Sequence, residues 1–179
     1  MDDVRRRASS DGCTRWYLNV KQTNASAIRL YERCGMSIEL EGWAMRTTWA
    51  TLATLPDSAG DIVAHVPGPD DDAALAARFD VDPERIALLR ARPGVVLLAL
   101  REAGEPAAFA AFDPAFPGVY PVRVARGELA RPLFDALRPH ASVDHVNVAV
   151  EGDRALFERL QAAGAELQHA FYRMGARLT

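Results

Sequence analysis

Apolar and polar positions change period several times along this chain, and each change marks an element. Arg15-Trp16-Tyr17-Leu18-Asn19-Val20-Lys21 is aromatic, β-branched and partly alternating, which predicts a strand. Ala27, Leu30, Tyr31 and Cys34 then recur at helical spacing, with Asn24 placed to cap the helix and Gly35 to supply a left-handed stop. Alternation returns from Ser37 to Thr48 around Ile38, Leu40, Trp43 and Met45, so the first fifty residues read strand, helix, strand. The stretch ahead of them, Met1 to Ala8 followed by Ser9-Ser10-Asp11-Gly12, reads as the end of a helix.

Between Leu52 and Gly60 the apolar period is lost and turn formers collect, as in a linker. Beyond it a second series of elements begins. Asp61 to Val66 is a candidate strand, Asp70 to Phe79 a helix, and Pro83 to Arg90 a helix capped by Asp82 with proline in its first turn. Val95–Arg101 and Ala107–Phe112 are strands joined by a hairpin through Ala103-Gly104-Glu105, and Val119–Ala125 is a third extended run. Leu129, Leu133 and Leu137 mark a helix, His145–Val150 a strand, Asp153–Ala162 a helix ended by Gly164, and Glu166–Met174 a last strand.

The end of this series repeats the start of the chain. Leu18-Asn19-Val20 matches Val146-Asn147-Val148, and after one inserted residue Asn24, Ile28, Tyr31 and Gly35 match Asp153, Phe157, Leu160 and Gly164. Three units follow from this: residues 1–50, a linker at 51–60, and a second module at 61–179.

Composition narrows the function. With 21 basic and 24 acidic residues in 179, the net charge of −3 favours neither a nucleic-acid nor a membrane surface. Arg5-Arg6-Arg7 is a local basic run that reads as a solvated helix face. No apolar stretch approaches spanning length and the N-terminus does not read as a signal peptide, so a cytoplasmic protein is expected. Cys13 and Cys34 have neither metal-ligand nor disulfide spacing and read as reduced thiols. The four histidines form no ligand pattern, so no metal is expected.

The residues Leu18-x-Val20 and Asn24-x-x-Ala27-x-x-Leu30-Tyr31-x-x-x-Gly35-Met36 resemble the C-terminal motif of the GNAT superfamily of N-acetyltransferases. The resemblance implies an α/β (α+β) fold with a mixed, mostly antiparallel central sheet flanked by helices, and acetyl transfer from acetyl-CoA to an amine. It implies that Leu18, Val20, Asn24 and Ala27 bind acetyl-CoA and that Tyr31 protonates the departing thiolate. A tyrosine with a pKa of about 10 is protonated at neutral pH and can do so. Read without the family, the same helix suits many α/β folds, with Tyr31 a core residue whose hydroxyl reaches water.

The order of elements from 61 to 179 is similar to a whole GNAT module, with two departures. Leu160 stands where Tyr31 stands in the first copy. The family's pyrophosphate turn, Gln/Arg-x-x-Gly-x-Gly/Ala, corresponds to Arg123-Val124-Ala125-Arg126-Gly127-Glu128-Leu129-Ala130, which has one glycine and a carboxylate that repels phosphate. Arg123 and Arg126 are the groups left to hold an anion there. This second module is therefore expected to be degenerate and structural.

The first module is expected to lack its N-terminal half, with its phosphate turn, oxyanion donor and general base, so that the chain turns over weakly or not at all by itself. A missing N-terminal segment or a homo-oligomer would complete it, because an unfinished sheet exposes a strand edge. The alternative is a non-catalytic interaction or binding protein on the same fold.

Overall fold

The structure, a computed structural model, describes residues 2–178. Met1 and Thr179 lie outside the described residues, as does the side chain of Arg5 in the basic run. Helix α1 is Asp2–Ser10. The first strand-helix-strand unit is β1 (Arg15–Lys21), α2 (Ala25–Arg33) and β2 (Ser37–Thr48). A short helix α3 (Trp49–Leu52) leads to β3 (Ile62–His65), α4 (Asp72–Phe79) and α5 (Pro83–Ala91). Then come β4 (Val96–Glu102), β5 (Glu105–Asp113), β6 (Gly118–Val124) and α6 (Ala130–Leu137). A second strand-helix-strand unit closes the chain: β7 (His145–Glu151), α7 (Arg154–Ala162) and β8 (Glu166–Arg177).

All eight strands form one sheet in the order β1-β8-β2-β7-β6-β5-β4-β3. Its neighbours are antiparallel except β6 and β7. The two strand-helix-strand units interdigitate: β8 lies between β1 and β2, and β2 lies between β7 and β8. Each unit thus fills the gap in the other. The units match in length element by element, with strands of 7 and 12 residues around helices of 9. Both helices carry a side-chain cap, Asn24 on the Ala27 N–H and Asp153 on the Leu156 N–H, and both end at a glycine with positive φ, Gly35 and Gly164.

Pairing corrects the register expected for this repeat. Lys21 faces Phe171 on β8, and Glu151 faces Gly42 on β2; Arg15 faces Arg177, and His145 faces Thr48. Under that symmetry Leu18-Asn19-Val20 corresponds to Val148-Ala149-Val150, two residues later than Val146-Asn147-Val148. The connection to the helix is one residue shorter in the second unit, not longer. A shift by two keeps every side chain on the same face of a strand, so the apolar pattern is indifferent to it.

The larger core lies on one face of the sheet. Leu133, Phe134 and Leu137 of α6 pack there with Leu156, Phe157 and Leu160 of α7 and with Trp43, Met45, Val146, Val148 and Val150. Each fully buried Leu or Phe contributes about 1.5–3 kcal/mol. Trp43 of β2 stacks on Phe157 of α7 at 4.7 Å between ring centroids, so the two units share one interior. Leu52 and Leu55 tie the connection between β2 and β3 to the same core. Helix α2 covers the same face at its far end, where Val20, Met36 and Met174 form a small cluster. On the opposite face α4 and α5 cover β4 and β5 through Leu75, Ile86, Leu97 and Phe109.

Candidate functional site

Strands β6 and β7 run parallel but pair only at Gly118 with Asn147 and Val119 with Val148. Beyond Val119 they diverge, and side chains occupy the gap. The Tyr120 hydroxyl donates to Glu151 Oε1 at 2.7 Å and accepts from Arg85 at 2.8 Å. Arg123 donates to Glu151 Oε2 at 3.2 Å, and Arg173 lies 3.5 Å from the same oxygen. The Glu151 side chain is fully buried, so its charge is held entirely by these partners. Burial, and then the Glu151 carboxylate beside it, push the Tyr120 hydroxyl above the usual tyrosine pKa despite Arg85. Burial opposes the charge on Arg85, but Tyr120, Tyr17 and Glu151 outweigh it and raise its pKa. The Arg85 guanidinium sits 5.2 Å from the Tyr120 ring centre and 5.8 Å from that of Tyr17.

The turn after β6 is closed in a similar way. Arg126 is ion-paired with Glu102 and donates to the Ser58 hydroxyl at 2.9 Å. Arg159 of α7 donates to Glu128 at 2.7 Å, and its guanidinium lies against Gly127 where any larger residue would place its Cβ. The backbone N–H of Glu128 itself, then Arg159 and Arg126, hold that carboxyl below its ordinary range. Arg123 and Arg126 are thus not free to receive an anion, because each already serves a carboxylate. The residues present do not fit the pyrophosphate of a CoA molecule at this turn.

The sequence-predicted residues gather elsewhere, at β1 and α2. Asn24 Oδ1 accepts from the Ala27 N–H at 3.1 Å and from the Ser26 hydroxyl at 3.0 Å. Leu18, Val20, Ala27 and Tyr31 come together around Met36 and Met174, with Tyr31 half-buried. Asn24 is at the exposed entry of α2, about two helical turns from Tyr31. Strand β1 ends the sheet, so its outer backbone edge has no strand partner among the described residues.

Tyr120, Glu151, Arg85 and Arg173 escape sequence reasoning. They lie on four separate elements, and their common location is created by the divergence of β6 from β7. The one local signal is a lone Glu ending a valine-rich strand, which is equally that of a solvated strand end.

No protein-family model matches the chain, and no curated protein sequence matches it. Its structure resembles those of GCN5-related N-acetyltransferases. The one from Kribbella flavida superposes with a TM-score of 0.62 at 14% identity, over 97% of this chain and 72% of that one. The one from Sphaerobacter thermophilus gives 0.52 at 20% identity, over 92% of this chain and 61% of that one. A tandem GNAT protein from the clavulanic acid biosynthesis pathway gives 0.59 at 15% identity, over 99% of this chain and 68% of that one. The chain therefore has the acyl-CoA N-acyltransferase-like fold, as its motif implies, and spans 61% of the Sphaerobacter structure.

Proposed function

We propose that this protein is a GNAT-type N-acetyltransferase that moves an acetyl group from acetyl-CoA to an amine, using its first strand-helix-strand unit. The observation that carries the reading is the assembly of Asn24, Leu18, Val20, Ala27 and Tyr31 on β1 and α2 beside an unpaired strand edge. Free backbone N–H and C=O groups along β1 suit the amides of a pantetheine arm, and the half-buried Leu18 and Ala27 supply its apolar wall over Val20. In the reaction the amine nitrogen forms a bond to the thioester carbonyl carbon and the carbon–sulfur bond breaks. The Tyr31 proton goes to the departing sulfur, and the proton lost by the acetylated nitrogen passes to solvent, from which the Tyr31 hydroxyl is restored. The acetyl-CoA requirement, the tandem arrangement of modules and the cytoplasmic location belong to this proposal.

A specific observation favours a second, non-catalytic reading for the unit at 61–179. Its strand divergence is filled by the Glu151 network, and its turn by the Arg159–Glu128 pair. That unit serves the fold, or binds something other than CoA.

Thermal shift of the full chain with acetyl-CoA, together with amine-dependent release of CoA thiol, tests the first reading. The expected result is a stabilisation by acetyl-CoA that Asn24→Ala and Tyr31→Phe alter, the latter sparing binding more than turnover. Stabilisation unaffected by either substitution, or none at millimolar acetyl-CoA, overturns the assignment to this unit and favours the non-catalytic protein.

A further inference from the structure

The face of the sheet opposite the main core carries two adjoining cavities, of about 500 Å³ and about 400 Å³. Both are bordered by Ala44, Tyr120, Ala149 and His169, so they form one groove running from α5 towards β1. Its two ends differ in chemistry. The larger cavity is walled mainly by apolar groups, including Ala44, Leu89, Val95, Ala111 and Ala149, and its one charged pair, Arg92 with Asp113 at 3.2 Å, is self-neutralised. A pocket of this size and character suits a small ligand with an apolar body.

The smaller cavity is bordered by Asn19 and Lys21 of β1. Neither Lys21 nor Arg85 has a carboxylate in ion-pair contact among the described residues. Arg85 sits between the Tyr17 and Tyr120 rings, behind Tyr120, which borders both cavities. Among the described residues no carboxylate borders the smaller cavity, and Glu151 and Glu39 are each shared among arginines: Glu151 with Arg123 and Arg173, Glu39 with Arg15 and Arg173. The end of the groove towards β1 therefore carries a cationic group, Lys21, beside a mainly apolar cavity.

We infer that this groove binds a small amphiphilic carboxylate, with its apolar tail in the cavity beside Leu89 and Val95 and its carboxylate at Lys21 and the Asn19 amide. A cationic ligand is disfavoured there, because Lys21 repels it. A neutral one leaves the lysine without a partner. The site is independent of acetyl transfer, since Tyr31, Leu18 and Val20 lie on the opposite face of β1.

Isothermal titration of the full chain with octanoate, octan-1-ol and octylamine tests this. Octanoate is expected to bind saturably and at least about tenfold more tightly than the other two, the scale of one charge-assisted contact. Lys21→Glu should weaken octanoate about tenfold or more and leave octanol unchanged, while Lys21→Arg restores octanoate. Lys21 is exposed, so neither substitution threatens the fold. Tyr31→Phe should leave octanoate binding intact even where acetyl-CoA effects are lost, which separates the two sites. Equal affinity for octylamine, an unchanged octanoate affinity in Lys21→Glu, or no saturable binding of octanoate overturns the inference.

Discussion

Tyr120 and Glu151 meet at 2.7 Å across the gap where β6 and β7 part, and this hydrogen bond closes the one parallel junction of the sheet. A buried carboxylate holding one hydroxyl and two guanidinium groups makes the gap a fixed polar interior. Its partners come from β6 and β8, so it also ties the interdigitated strands together.

Removing the carboxylate leaves Arg123 and Arg173 facing each other without their shared counter-charge. Glu151→Ala is expected to destabilise the protein by about 3–5 kcal/mol, the scale for breaking a buried ion pair from one side. Glu151→Gln keeps the acceptor for Tyr120 and should cost less. Urea unfolding of the two variants measures the difference, and equal, small losses would show that the cluster is not held as described.

The raised pKa of Tyr120 has a defined sign in stability. A hydroxyl that holds its proton more tightly when folded contributes stability that is fully present below the unfolded value of about 10 and is lost as pH rises through the folded value. Tyrosinate absorbance should therefore show one of the four tyrosines ionising late, and Tyr120→Phe should remove that late step. The stability advantage of the native protein over Tyr120→Phe should shrink above about pH 10.

Trp43 belongs to the first strand-helix-strand unit but stacks on Phe157 of the second. Trp43→Ala is expected to cost about 3–5 kcal/mol and to lower the stability of the whole sheet in one transition. Far-ultraviolet circular dichroism and the fluorescence of Trp16 and Trp49 should report the same midpoint. Separate midpoints would mean that the two units unfold independently.

The matching caps have unequal settings. Asn24 starts a helix with no fully buried residue, whereas Asp153 starts one that buries Leu156, Phe157 and Leu160. Asn24→Ala and Asp153→Ala each remove a cap worth about 1 kcal/mol. Hydrogen exchange should show local opening of α2 in the first variant and a global loss of protection in the second.

How much of this was legible in the chain depends on the range of the signal. The helix over Ala25–Arg33 is written in Asn24, its apolar spacing and Gly35; the hairpin is written in Ala103 and Gly104, both at positive φ. These are contacts between neighbours in sequence. The gathering of Leu18, Val20, Ala27 and Tyr31 also follows from one face of a strand meeting one face of the next helix. That Arg123 and Arg126 are engaged by carboxylates was not legible, because their partners, Glu151 and Glu102, lie 28 and 24 residues away.

By itself the sequence determined the elements and the repeated cap and stop of α2 and α7, since period, capping and stop residues act within a few positions of themselves. Tertiary structure alone decided that the two repeats interlock and that their true register differs by two residues. It also decided that Glu151 is buried among arginines rather than solvated. The reason is physical: a strand's period of two is unchanged by a shift of two, and a charge at a strand's end acquires its environment only when distant strands pair beside it.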